Sequence, residues 1–366
     1  TFVFLYEQFT NTIDIDIVEA NGNNVLLFAA RYACLDILKF FFEKFSPKLD
    51  VQNNDGQDAF MVAIRYSNIP CINYLCDYHK EKINFKQQDI YGNNAFMIAA
   101  RRSNIEIIKI IHKHFSDQLI MDIRNKEENN AFFISALNTN ILVTRYFFNT
   151  YKERIDVNKL DNDNNTKFMK IILKCSAPSI QQLCDTFKDT VLINKQGNMN
   201  YSALMHASER GEISTIPILA KTFGTTMNVN LVSSYGKSAL TIAVENHDMD
   251  MIETLVTTFK DRIDINVGTG NFSLASAIKD KHFEAVKYLI DEFYDQIEVN
   301  KRNDEGDTIF MLAAKFGCFD ILKYIYQKYK HQLDITVRNK YGENVFILAS
   351  KTDNFELVKF LFKTYK

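Results

Sequence analysis

The sequence predicts an all-α solenoid, built from helix-turn-helix repeats that carry extended, hairpin-like fingers. Three observations carry that prediction. A turn residue recurs at Gly22, Gly56, Gly92, Glu128, Asn164, Asn200, Gly236, Gly270, Gly306 and Gly342, at intervals of 34 or 36 residues. Two places after each of these anchors stands a helix-capping residue in nine of the ten repeats, and two places further on an apolar residue in all ten. A second stretch in every repeat has apolar residues at i, i+3 and i+4, as in "FDILKYIYQKY" at 319–329. No such repeat can bury its own apolar faces, so the copies must stack.

Each element follows from its residues. The caps of the first helices are Asn24, Asp58, Asn94, Asn130, Thr166, Ser202, Ser238, Thr308 and Asn344, whose side chains can accept a backbone N–H. Phe272 cannot, so repeat 8 is expected to start its helix on a poorer cap. Small residues then line one face, among them Ala29-Ala30, Ala63, Ala99-Ala100, Ala207-Ser208, Ala243 and Ala313-Ala314, which lets neighbouring helices approach closely. Between the helices, only Gly211 and Gly317 are glycines; Ala33, Ser67, Ser103, Thr139, Cys175, His247, Lys281 and Asp353 take the other copies. If that residue is left-handed, His247 and Lys281 each carry about 1 kcal/mol of strain.

The second helices begin near Leu35, Ile69, Ile105, Ile141, Ala177, Ile213, Met249, Phe283, Phe319 and Phe355. An aromatic four residues before an aliphatic marks the ends, as in Phe45/Leu49, Phe187/Val191 and Tyr329/Leu333, with His79 in that place in repeat 2, and is expected to pin the connection. An alternating "IDVN" or "LDIT" piece then leads to the next turn. Pro178 at the start of one second helix and Pro217 inside another predict an irregularity across 165–220, with a kink or a late helix start. Residues 1–366 read as one continuous repeat domain in an elongated stack, with 1–19, including Phe9 and Ile13, as the end of a preceding partial repeat. Further repeats or domains are expected at both ends.

Composition excludes several classes. The 43 basic and 45 acidic residues nearly cancel, which argues against a dedicated duplex nucleic-acid binder. No apolar run is long enough to cross a membrane. Six cysteines, without a CxxC or a close Cys/His cluster, mostly occupy apolar helical positions, and the expected setting is intracellular, in the cytoplasm.

Chemistry-bearing motifs are weak. The seven histidines (79, 112, 114, 206, 247, 282 and 331) are expected to be exposed or half-packed; His112, His114 and nearby Asp117 make one loose metal triplet. "NKLDNDNNT" (158–166) reads as a turn, since it lacks the glycine and terminal glutamate of a calcium loop. "VGTGN" (267–271) lacks the Lys-Ser/Thr that a phosphate loop needs. No catalytic set, cofactor or metal is assigned.

The repeated text is carried most clearly by "NDGQDAFMVAI" (54–64), "YGNNAFMIAA" (91–100), "EGDTIFMLAA" (305–314) and the "IDVN" element at 155–158. It resembles the ankyrin repeat. Apolar residues, Leu27, Met61, Met97, Met169, Met205 and Met311, replace the family's histidine, so its hydroxyl–imidazole network is expected to give way to apolar packing. The repeats here are also about three residues longer than the family's, and the addition falls after the second helix. The resemblance implies paired helices, outward β-hairpin fingers and a ligand on the concave groove.

Mapped onto this sequence, the groove positions give the candidate binding residues Arg31, Tyr32, Arg65, Tyr66, Tyr91, Arg101, Arg102, Tyr235, Lys315, Phe316 and Tyr341. Arg31, Arg65 and Arg101 are expected to form a ladder with rungs about 10 Å apart. Arginine and tyrosine favour recognition of an acidic or phosphorylated protein segment, while Glu209 and Glu245 place acids in the middle repeats. The functional expectation is a non-enzymatic protein–protein interaction scaffold. The alternatives are a structural spacer, or a regulatory segment of a larger multidomain enzyme or membrane channel.

Overall fold

The computed structural model describes residues 17–116, 121, 123–268 and 272–365, so residues 1–19 lie almost wholly outside it. It consists of ten helix pairs. Four fall in a compact N-terminal unit, 1–156. They are α1 (Val25–Arg31) with α2 (Leu35–Phe45), α3 (Ala59–Arg65) with α4 (Ile69–Tyr78), α5 (Ala95–Arg102) with α6 (Ile105–Phe115), and α7 (Ala131–Leu137) with α8 (Ile141–Tyr151). Six fall in a C-terminal unit, 157–366. They are α9 (Lys167–Lys174) with α10 (Ala177–Phe187), α11 (Ala203–Arg210) with α12 (Thr215–Phe223), α13 (Ala239–Glu245) with α14 (Met249–Phe259), α15 (Phe272–Lys279) with α16 (Phe283–Glu292), α17 (Ile309–Lys315) with α18 (Phe319–Tyr329), and α19 (Val345–Ser350) with α20 (Phe355–Thr364). Within each unit the first helices pack side by side, and each second helix packs on its own partner except α10, which packs chiefly on α12.

The caps behave as their chemistry dictates. All nine polar caps accept a backbone N–H from the first turn, for example Asp58 from Met61 at 2.8 Å and Asn94 from Met97 at 3.0 Å. Phe272 is itself the first residue of α15. The small-residue face is fully buried, and the residues that replace the family's histidine, Leu27, Met61, Met97, Met169, Met205 and Met311, are buried beside it. Eight of the ten inter-helix residues are left-handed, including His247 (φ 55°) and Lys281 (φ 56°). The exceptions are Asp353 and Cys175, the latter extended at φ −92°.

Both prolines are absorbed at helix starts. Pro178 lies in the first turn of α10, where its missing N–H has no partner to lose. Helix α12 begins late, at Thr215, so Pro217 falls within its first turn rather than in its interior. The extra residues of the longer repeats form 3-10 turns after the second helix, at Lys80–Lys82, Lys152–Arg154 and Gly224–Thr226. The recurring aromatic is held from inside: Phe115, Phe187, Phe223, Phe259, Phe293 and Tyr329 are all buried, with Phe115 stacked on Phe85 at 4.6 Å.

The fingers correct the sequence expectation of β-hairpins. Among the described residues no strand forms, and the one antiparallel bridge joins Leu160 to Thr166. The reason is local satisfaction of the backbone. In each well-formed finger a polar side chain accepts two N–H groups of its own turn, as Asn53 Oδ1 does from Asp55 (3.1 Å) and Gln57 (2.9 Å). Asp89, Asn125, Asn303 and Asn339 repeat the arrangement. One backbone bond then joins a finger to its predecessor, Asn54 N to Asn21 O at 2.9 Å and Ile90 N to Asp55 O at 2.9 Å. Too few groups remain for a ladder.

A column of asparagines, not anticipated from sequence, braces the C-terminal unit. Asn158, Asn194, Asn230, Asn266 and Asn300 occupy the last place of the "IDVN" element in successive repeats. Asn230 Nδ2 donates to the Arg262 carbonyl at 2.8 Å, and its Oδ1 accepts from Asp264 N at 2.9 Å. The other four make the same two-ended clamp on the following repeat.

Candidate functional site

The ninth residue after each anchor sits at or near the C-terminal end of a first helix, beside the finger that precedes it. There its fate depends on the finger. Where the finger tip carries an acid next to the anchor, the cation is neutralised within its own repeat. Arg65 Nη1 lies 3.2 Å from Asp55, Lys315 Nζ 2.9 Å from Asp307 and also on Glu305, and Lys351 on Glu343. In repeat 7 the polarity is inverted, with Lys237 of the finger 2.6 Å from Glu245. Burial works against the Lys315 ammonium, but its bonds to Glu305 and Asp307 outweigh this and raise its pKa, while Lys315 holds Glu305 below the usual carboxylate range.

Arg31 and Arg101 have no such acid. Their fingers offer Asn21 and Asn23, or Tyr91 and Asn93. Arg31 instead lies over two rings, 5.3 Å from the centroid of Tyr32 and 5.0 Å from that of Tyr66 in the next repeat. Tyr32 also stacks on Phe28 at 6.1 Å. Arg31, Arg65 and Tyr66 border a crevice of about 170 Å³ floored by Val62 and edged by Asn21, Asn54 and Asp55. Arg101 and Arg102, at the end of α5, are exposed, and no acid partner of theirs is recorded among the described residues.

The structure thus joins Arg31, Tyr32, Arg65 and Tyr66 into one cluster. Tyr91 stands on a finger tip, 59 % exposed, its N–H held by Asp89 at 3.0 Å. Tyr235 and Tyr341 occupy equivalent tips in the C-terminal unit, likewise exposed and held by Ser233 and Asn339. Lys315 and Phe316 border a separate groove of about 730 Å³ in that unit. The division between neutralised and unneutralised cations was not drawn from the sequence, although its signal is there: an acid one place before or after the anchor, with Lys or Arg nine places after it.

Other candidate chemistry resolves into packing. His112 meets Tyr146 and Tyr151, with ring centroids at 5.8 and 5.5 Å, and His114 lies 3.4 Å from Asp77. Asp117 is outside the described residues, as is most of "VGTGN". His206 departs from the expected exposed or half-packed state. It is buried at a position that holds Val62 or Ile98 in other repeats, and burial pushes its pKa down. "NKLDNDNNT" is a turn closed by Asp161 on the N–H groups of Asp163 and Asn165. All six cysteines are free, and burial pushes the Cys175 and Cys184 thiols up to about 12, far from a reactive thiolate. Among the described residues no group of three or more metal-ligating side chains converges, and no helix is long and apolar enough to cross a membrane.

Comparison with known proteins agrees with this architecture. A family model described as "Ankyrin repeats (3 copies)" matches residues 3–89, 26–122, 168–269 and 272–366. No curated protein matches the chain. Among solved structures, it is similar to the ankyrin repeat domain of Bcl-3, described as a unique member of the IkappaB protein family, at 17 % identity and a TM-score of 0.53. That match covers 64 % of this chain and 99 % of the other. Ankyrin repeats are generally protein–protein interaction modules. On the extent of the family match and the paired-helix fold, this chain belongs to the ankyrin repeat family.

Proposed function

We propose that the chain is a non-enzymatic, intracellular interaction scaffold. In this reading an acidic or phosphorylated segment of a protein partner lies along the first-helix face of the N-terminal unit. One observation carries it: Arg31, Arg101 and Arg102 lack the finger-tip acid that neutralises Arg65, Lys315 and Lys351. Tyr32, Tyr66 and Tyr91 add planar contact area beside these cations at small entropic cost. The unbroken repeat register is the reason for treating 1–366 as one interaction domain.

The test is binding of the purified chain to an array of acidic, phosphorylated and neutral peptides. Arg31→Glu and Arg101→Glu together should remove selective capture of the charged peptides, with unchanged thermal unfolding. Lys315→Glu, whose parent cation is already neutralised, should leave capture intact. Equal capture by the double variant would exclude this face.

A second reading, a structural spacer, is favoured by the asparagine clamps of residues 158–334, which brace each repeat on the next. It predicts a function sensitive to repeat number and indifferent to Arg31 and Arg101.

A further inference from the structure

Two histidines of the C-terminal unit each sit at a local cost, and they meet across a seam between repeats. His247 lies in the turn between α13 and α14 at φ 55°, the left-handed region that penalises any residue with a Cβ. His282 stands one place before α16. In repeats 2, 3, 4, 7 and 10 that place holds Asn68, Asn104, Asn140, Asp248 and Asn354, and each of these caps its second helix. His282 makes no cap bond, and its Nδ1 is buried without a hydrogen-bond partner. Neither ring serves its own repeat. Their centroids lie 5.0 Å apart, with the planes inclined at 47°.

That separation has a chemical meaning. A transition-metal ion sits about 2.0–2.1 Å from a ligating imidazole nitrogen, hence about 3.2 Å from the ring centroid. Two rings on one ion therefore have centroids about 4.5 Å apart in square-planar geometry and about 5.2 Å apart in tetrahedral geometry. We infer that His247 and His282 form a two-histidine site for a divalent late transition-metal ion, Zn²⁺ or Cu²⁺, with water in the remaining coordination positions. The ion ties the turn of repeat 7 to the start of the second helix in repeat 8. Burial and the neighbouring His247 lower the His282 pKa, against Glu284 and Asp280, so at neutral pH this ring is uncharged and has a lone pair to give. The protein supplies two ligands and not three. Asp248 is engaged with Met251 N at 3.0 Å, and Cys318, the counterpart of His282 in repeat 9, donates its thiol to the Ile278 carbonyl at 3.5 Å. Neither histidine borders the Arg31 crevice or the 730 Å³ groove, so the site is apart from both and does not depend on the reading given to the Arg31 cluster.

Calorimetric titration of the purified chain with ZnCl₂ at neutral pH tests this, together with the melting temperature across the same titration. Zn²⁺ should bind saturably and raise the melting temperature, and excess Mg²⁺ or Ca²⁺, which prefer oxygen ligands, should not compete. His282→Asn restores the capping residue of the other repeats, and His247→Gly suits the left-handed turn. Each should weaken Zn²⁺ binding by more than about tenfold, since losing even a supporting partner of a ligand costs that much. With a chelator present both variants should melt at or above the parent's temperature, which separates lost ligation from lost folding. His331→Ala, at an exposed histidine, should bind as the parent does. In NMR spectra of the imidazoles, the His247 and His282 signals should move together as the ion is added. The inference is overturned if no saturable binding occurs, if either variant at the pair binds like the parent, or if only one of the two rings responds.

Discussion

The two units share one repeat and differ in how their repeats are sewn together. In the C-terminal unit the last residue of the "IDVN" element is asparagine five times in succession, and each one reaches into the next repeat to hold a carbonyl and an N–H at once. In the N-terminal unit the same place holds Gln52, Lys86 and Asp122. Gln52 donates to the Gly56 carbonyl at 2.6 Å, inside its own turn. Rings join the seam there, beside finger-tip bonds such as Asn53 Nδ2 to Asn23 Oδ1 at 3.0 Å: His79 stacks on Phe42 at 3.9 Å, and His112 meets Tyr146. The lesson is one of reach. At this place asparagine leaves both amide atoms pointing at the neighbour, whereas Gln52, one methylene longer, curls back on its own turn.

The sharpest way to break this comparison is to remove clamps. Asn230→Ala with Asn266→Ala deletes four hydrogen bonds and strands part-buried backbone groups, for a loss of about 3 kcal/mol in urea unfolding. Gln52→Ala should cost less than about 0.5 kcal/mol. Equal losses would mean that the clamps brace nothing.

Next comes Asp58, the one carboxylate among the caps of the first helices. Burial raises the Asp58 pKa from 3.8 to about 6, against the bonds from Met61 and Phe60 that lower it. The fold therefore binds a proton that the unfolded chain has released. Stability is full below pH 3.8 and falls as pH rises to about 6, after which the loss is constant. Asp58→Asn, matching the caps at Asn24, Asn94 and Asn130, should recover on the order of 2 kcal/mol at pH 7. It should also flatten this part of the pH profile. A variant no more stable than the parent at pH 7 would show that the carboxylate is not desolvated.

A smaller effect is expected at the left-handed residues. His247→Gly should stabilise the C-terminal unit by about 0.5–1 kcal/mol at neutral pH, read as a raised melting temperature, because glycine meets no Cβ penalty at φ 55°. The smallest stability effect belongs to the finger-tip pairs. Asp55→Ala should change unfolding by less than about 1 kcal/mol, since Arg65 and Asp55 are each nearly half exposed. It should, however, strengthen acidic-peptide binding by releasing Arg65; unchanged or weaker binding would mean that Arg65 does not face the ligand.

What was legible in the sequence was whatever depends on a short run of neighbouring residues. The caps, the small-residue face, the late start at Pro217 and the strain at His247 each follow from a residue and its immediate neighbours, and the structure contains all of them. The β-hairpins did not form because Asn53 and its counterparts close the turn with side-chain acceptors, a competition that an alternating pattern does not reveal. The asparagine clamps were missed because they join one repeat to the next, and the neutralised cations because each pairs a finger tip with a helix end eight to ten residues along the chain. Reading Arg31, Arg65 and Arg101 as equivalent rungs treated the column as uniform, whereas Asp55 makes the middle rung different.

The pairing of finger tip with helix end has an evolutionary consequence. A single codon change at a turn position, Asn21 to an acid or Asp55 to a neutral residue, alters which cation is offered outward without disturbing helix, cap or core. Partner preference in this molecule can drift one repeat at a time, while the stack that presents it is inherited intact.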